Sequence, residues 1–165
     1  IIILHCIMTP KKISTWSDYN TYPMNKFHNM SSWLEEKSSL REKLNVHHGE
    51  VHLELLSEEK IYISDEQANL VNVHGKLRKI FLSSKKKLVY AESFLSDEIC
   101  NSYPPLRNLG LSALGEHIFN QDFFTRKQMF IANFEYKQEI FFGRKCIYSQ
   151  GDNFLPVTEV FLFHE

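Results

Sequence analysis

Apolar and polar residues alternate along much of the chain, a period of two that marks strands with one buried face. Residues 51–56 alternate in this way and predict a strand. Residues 57–75 are polar and lead to a second strand at 76–82. Residues 83–87 read as a lysine-rich turn and 88–94 as a partner strand, so this pair predicts a hairpin with a longer loop. Three further strands are expected at 127–136, 143–149 and 154–163. Helical spacing is sparser. Trp33, Leu34, Leu40 and Leu44 form an apolar stripe that predicts a helix over 30–44. Ser31 or Ser32 stands at its N-cap, Glu35 at capping-box distance from Ser32, and His47, His48 and Gly49 at its end. A short helix is expected within 112–119, whereas Pro104 and Pro105 interrupt regular structure in the mixed stretch 95–110. Few helices beside many hairpin-linked strands predict an α+β fold with an antiparallel sheet.

The chain has 165 residues, the size of one domain with room for a real core. Residues 1–8 are apolar but too short for a membrane span, and they carry neither a basic leader nor a small-residue cleavage site. Residues 1–29 are expected to be an irregular N-terminal extension, the start being a fragment or an upstream extension of the reading frame. Residues 30–165 are expected to be the domain. The 19 Lys and Arg against 20 Asp and Glu leave a formal charge of -1, so no global basic field holds nucleic acid or an anionic membrane. Cys6, Cys100 and Cys146 are odd in number and widely spaced, which argues against a disulfide scaffold or a zinc ribbon and fits a reducing compartment. Phe, Lys, Ile and Asn are abundant while Gly, Pro and Arg are scarce. Folding does not demand this skew, which fits an AT-rich coding genome such as that of an organelle.

Two charges stand out by their faces. In the 76–82 strand, Arg78 shares parity with Ile80 and Leu82; in the last strand, Glu159 shares parity with Val157, Phe161 and Phe163. A charge among apolar neighbours needs a partner or a ligand. One reading is structural: an Arg78–Glu159 ion pair, or edge positions whose heads reach water. The other is a pocket with one cation and one carboxylate on an apolar sheet face, suited to a small cyclic anion. Arg would grip a carboxylate bidentately, and Glu would meet a hydroxyl or ether oxygen. Other features carry less. The eight histidines show no HExxH and no ligand spacing, so no metal is expected. Lys85, Lys86 and Lys87 read as a solvated turn. Cys146 shares parity with Arg144 and Tyr148 and reads as a packed thiol, not a nucleophile. No GxGxxG, Walker or GxSxG motif occurs.

Taken in order, several segments resemble the chorismate–pyruvate lyase family, in its plastid-encoded and cyanobacterial-type members. They are Leu77-Arg78-Lys79-Ile80-Phe81-Leu82, Val89-Tyr90-Ala91-Glu92-Ser93, Leu109-Gly110, Leu114-Gly115-Glu116-His117-Ile118-Phe119 and Phe124-Thr125-Arg126. Gly143-Arg144-Lys145 and Leu155 through Leu162, with Glu159 ahead of Phe161-Leu162, complete the set, and Trp33-Leu34 and Ser38-Ser39-Leu40 add to it in the first half. The likeness spans residues 30–163. It implies a single α+β domain in which helices close an antiparallel sheet over an internal ligand cavity. It further implies elimination of pyruvate from chorismate to give 4-hydroxybenzoate, a quinone head-group precursor, with neither metal nor organic cofactor. The family's ligand-contacting positions fall on Leu40, Arg78, Leu114 and Glu159, with Arg78 and Glu159 as the catalytic pair and the two leucines as walls. A monomer is expected, with a small-molecule substrate, no nucleic-acid partner and no membrane span, in a plastid stroma or a bacterial cytoplasm.

Some positions depart from the family's pattern. Leu40 stands where Met is frequent, and Arg144-Lys145 where two arginines occur. Glu92 replaces a basic residue of the bacterial enzyme and shares parity with Tyr90 and Phe94. Facing the cavity, it would oppose an anionic ligand. The runner-up reading is a non-catalytic aromatic-acid-binding domain of the same fold, like the effector-sensing domain of certain bacterial regulators.

Overall fold

A computed structural model describes residues 7–22, 28–119 and 123–165. The apolar start with Cys6, and residues 23–27 of the segment expected to be irregular, lie outside the described residues. Strands β1 (Lys11–Lys12) and β2 (Ser17–Asp18) both lie along a later strand. Two short helices follow, α1 (Ser31–Leu34) and α2 (Leu40–His48). Then come β3 (His52–Asp65), β4 (Leu70–Ser83), β5 (Lys87–Ser96), α3 (Asp97–Ser102) and α4 (Leu114–Phe119). Strands β6 (Thr125–Tyr136), β7 (Glu139–Gln150) and β8 (Asn153–Phe161) complete the chain. The order across the sheet is β1-β6-β7-β8-β5-β4-β3, with β2 also on β6, and every pairing is antiparallel. The expected α+β class holds.

β1 and β2 pair with β6 within the stretch expected to be irregular, and three further elements differ from the sequence pattern, each for a local reason. The helix expected over 30–44 is two helices, because Ser38 turns back to Glu36 through its N–H (3.0 Å) and its hydroxyl (2.6 Å). Ser39 then caps α2 by accepting from the Glu42 N–H. The polar stretch 57–75 forms the arms and turn of a long β3–β4 hairpin. β3 lies at the sheet edge and meets water, so alternation is weak there. The turn is closed by the Asp65 carboxylate accepting from the Ala68 N–H (3.1 Å), and Asn69 takes a left-handed φ of 53°. Finally, α3 arises in the mixed stretch because the Ser96 hydroxyl caps it at the Ile99 N–H, with Asp97 and Glu98 in the first turn.

The sheet curls enough that Phe81 of β4 meets Tyr136 of β6, ring centroids 6.3 Å apart. This face packs Phe81, Tyr90, Phe134, Phe141, Val160 and Leu162 together. At Gly143 a Cβ would lie 2.3 Å from the Phe134 ring, so the aromatic covers bare backbone there. The opposite face carries the helices in two clusters. One holds Trp33, Leu34, Leu40, Ile80, Leu82, Ala91 and Phe161. The other holds Ile99, Leu114, Ile118, Cys146, Tyr148 and Val157. The candidate site lies where these two clusters meet.

Candidate functional site

Cross-strand register builds the site. Arg78 of β4 sits opposite Ser93 of β5, which sits opposite Val157 of β8. One row along, Ile80 sits opposite Ala91, Ala91 opposite Glu159, and Glu159 opposite Arg144 of β7. Opposed residues share a face, so these rows place all seven on the helix-covered side. The four positions singled out from the sequence come together: Leu40, Arg78, Leu114 and Glu159 line one cavity with Ile80, Ser93, Ile118, Tyr148 and Val157. Leu40 and Leu114 are the first residues of α2 and α4, so the two helices bring the apolar walls down onto the sheet. The cavity volume is about 60 Å³, room for a few waters and well below the ~300 Å³ of an ordinary ligand pocket.

The two charges do not form the Arg78–Glu159 pair that was one sequence reading; each has another partner. Arg78 is 1% exposed, and its Nη2 donates to the Gly110 (2.9 Å) and Ser112 (3.0 Å) carbonyls ahead of α4. Gly110 has a φ of 55°, the left-handed turn that helps bring this loop over the guanidinium. The Arg78 Nε lies 3.5 Å from a Glu58 carboxylate oxygen and makes no hydrogen bond although it is buried. Burial pushes the Arg78 pKa down, and the Glu58 charge opposes that shift. A buried donor without an acceptor is costly, and a ligand oxygen would relieve it.

Glu159 accepts from Arg144 Nε at 2.9 Å. Arg144 is fully buried, and its Nη1 donates to the carbonyls of Trp33 (3.2 Å), Leu34 (2.8 Å) and Glu36 (2.8 Å) at the end of α1. Its guanidinium also lies over the Phe161 ring, 5.6 Å from the centroid. Burial works against the Arg144 charge, but the Glu159 carboxylate and neighbouring groups outweigh it and raise the pKa. Sequence reasoning gave Arg144 no role. Its parity with Cys146, noted there, was the available signal: a third charge on the buried face. Cys146 is fully buried beside it, and burial raises its thiol pKa, as expected of a packed group.

Glu92 points away from this cavity. It lies on the opposite face of the sheet, accepts from the Tyr90 hydroxyl at 2.6 Å, and lines a separate cavity with Lys145, Thr158 and Trp16. Lys145 is on that face too, paired with Asp65 at 2.7 Å and donating to Gln67 at 3.1 Å. The two departures that bear on charge are therefore remote from the Arg78–Glu159 cavity.

Comparison with known proteins identifies the family. The family model described as chorismate lyase matches residues 13–165. A protein named probable chorismate pyruvate-lyase from Pseudoalteromonas translucida (strain TAC 125) is 29% identical over 147 residues, covering 79% of this chain and 82% of the relative. Another of the same name from Pasteurella multocida (strain Pm70) is 28% identical over 138 residues, covering 81% and 80%. With a family match that spans nearly all of the domain, the chain belongs to the chorismate lyase family.

Proposed function

We propose that the protein eliminates pyruvate from chorismate to give 4-hydroxybenzoate. The observation that carries this reading is one largely apolar cavity lined by a buried arginine with an unsatisfied Nε and by a carboxylate fixed by a second arginine. Chorismate offers a ring carboxylate for Arg78, an oxygen-bearing ring carbon for Glu159, and a ring to lie between Leu40 and Leu114. In the reaction the ether C–O bond and a ring C–H bond break, and the proton ends on the enolpyruvyl methylene, which becomes the methyl of pyruvate. The ring becomes aromatic, and that supplies the driving force. The protein's part is to hold the ring in one pose and keep water away.

Glu159 serves in this reading as an acceptor that anchors the hydroxyl end. One of its oxygens is already taken by Arg144, which suits orientation better than shuttling a proton. Glu159→Gln then keeps kcat within about tenfold of the wild type and raises KM, because an amide oxygen still accepts. A larger fall in kcat assigns Glu159 to proton transfer instead. The small volume, closed over by the first residues of α2 and α4, also supports slow product release. The product would serve as a quinone head-group precursor, and the Phe, Ile, Lys and Asn excess supports a plastid setting.

The test is incubation of the purified chain with chorismate. Equal amounts of pyruvate and 4-hydroxybenzoate are expected. No pyruvate, with tight 4-hydroxybenzoate binding, would replace the enzyme by a non-catalytic aromatic-acid binder. Neither product nor binding would leave the charges as structural pairs.

A further inference from the structure

A second, larger opening lies directly outside the cavity. It is a cleft of about 610 Å³ lined by Tyr19, Glu35, Lys37, Phe124, Arg126 and Met129, among others. Ile118 and Tyr148 line both the cleft and the inner cavity, so these two side chains are the wall between them. The cleft has an excess of positive charge: Lys37, Arg126 and Lys127 stand against Glu35, whose carboxylate already accepts from the Tyr19 hydroxyl. Near neutrality overall, the chain has no long-range field to gather anions, so a local cluster must do it.

Arg126 is the half-buried member of that cluster. Its Nη1 donates to the Glu36 carbonyl at 3.3 Å, the same oxygen that accepts from Arg144 at 2.8 Å. A single carbonyl therefore joins the cleft arginine to the Arg144–Glu159 pair inside. The Arg126 charge acts on Tyr19 in the cleft and on Tyr148 in the wall, opposing the upward pKa shift of each. Phe124 and Met129 offer an apolar surface beside it for a flat ring.

We propose that this cleft is an outer docking site for small ring-bearing carboxylates, with Arg126 as the anion-binding group, through which ligand reaches and leaves the inner cavity past Ile118 and Tyr148. The ligand class rests on the reading of the inner cavity given above. A carboxylate held at Arg126 has its ring against Phe124 and the shared wall. Entry then requires those wall side chains to part, with no search from bulk solvent.

The experiment is stopped-flow association of 4-hydroxybenzoate with the full chain at low and moderate ionic strength. Arg126→Gln should lower the association rate constant about tenfold and flatten its salt dependence, with dissociation changed less than about twofold. Arg126→Lys should retain the salt dependence, and Lys11→Gln, outside the cleft, should match the wild type. Unchanged association in Arg126→Gln overturns the proposal. So does faster dissociation with unchanged association, which would place Arg126 on ligand already inside. Should the wild type neither bind 4-hydroxybenzoate in this assay nor turn over chorismate, the inner-site reading fails on its own. The cleft is then tested with benzoate as an NMR probe. Benzoate-induced shifts at the wild-type Arg126 Nε–H and at the Ile118 methyls, the methyl shifts being lost in Arg126→Gln, support the outer site, and their absence in the wild type overturns it.

Discussion

Replacing Arg144 with methionine is expected to cost more stability than replacing its partner Glu159 with glutamine. The methionine fills much of the same space but removes the bond to Glu159 and three bonds to carbonyls. The losses are unequal. The Trp33 carbonyl still accepts from the Glu36 N–H at 3.3 Å, and the Glu36 carbonyl still accepts from Arg126 at 3.3 Å. The Leu34 carbonyl has no other donor among the described bonds. Breaking a buried ion pair from one side costs about 3–5 kcal/mol, and the Glu159 side chain, 15% exposed, puts this case at the lower end. A stranded buried carbonyl adds about 1–3 kcal/mol. The sum, roughly 4–6 kcal/mol, is a large part of the ~5–15 kcal/mol that holds a domain of this size. Glu159→Gln leaves the carbonyl bonds intact and still offers an acceptor to Nε, but it takes the countercharge from a fully buried guanidinium, so about 2–3 kcal/mol is expected. Urea unfolding followed by the fluorescence of buried Trp33 measures both, with equal m-values as the check that the folded states are comparable. A loss under ~1 kcal/mol in Arg144→Met, or a Glu159→Gln loss as large as that of Arg144→Met, would refute the view that Arg144 is the structural keystone of the site.

Arg78→Ala should lower chorismate turnover at least about a hundredfold while the chain still unfolds cooperatively, because it removes the carboxylate grip and leaves the sheet pairing intact; near-normal turnover in a steady-state assay would remove Arg78 from the site. Gly143→Ala should destabilise by about 1–3 kcal/mol in the same urea titration, since its methyl must displace the Phe134 ring. Glu36 has its pKa lowered from 4.5 to about 2 by the Ser38 hydroxyl and N–H and, after these, by Lys43. Its folded-state pKa lies below the unfolded one, so its contribution is fully present above pH 4.5 and is lost as the pH falls toward 2. Acid titration of stability in Glu36→Gln should lack that component, and an unchanged profile would count against the Ser38 contacts.

How much of the site was legible in the sequence follows from which quantities are local. Strand alternation is built into backbone geometry, so the parity of Arg78 with Ile80 and Leu82, and of Glu159 with Val157 and Phe161, carried over to the structure. The hairpin over β4 and β5 was legible for the same reason. Alternation predicted the start of β3 but failed over its residues 57–65, where an edge strand places polar residues on both faces. The apolar stripe of 30–44 was real, but it could not reveal that Ser38 and Ser39 end one helix and start another. Both serines compete for backbone groups through bonds of a few residues' reach.

The sequence by itself determined the antiparallel α+β class, the two charges on apolar faces and the family likeness, which in turn pointed to Leu40 and Leu114. Only the tertiary structure decided which charge meets which. Arg78 and Glu159 share a face and a cavity, yet the register sets Glu159 beside Arg144, and the loop ahead of α4 supplies carbonyls to Arg78. Only the tertiary structure, too, turned Glu92 and Lys145 onto the far face and set an arginine-bearing cleft outside the wall of Ile118 and Tyr148. Parity is a property of one strand. Pairing is a property of neighbouring strands, helix ends and sheet curl, which segments distant in the chain set jointly.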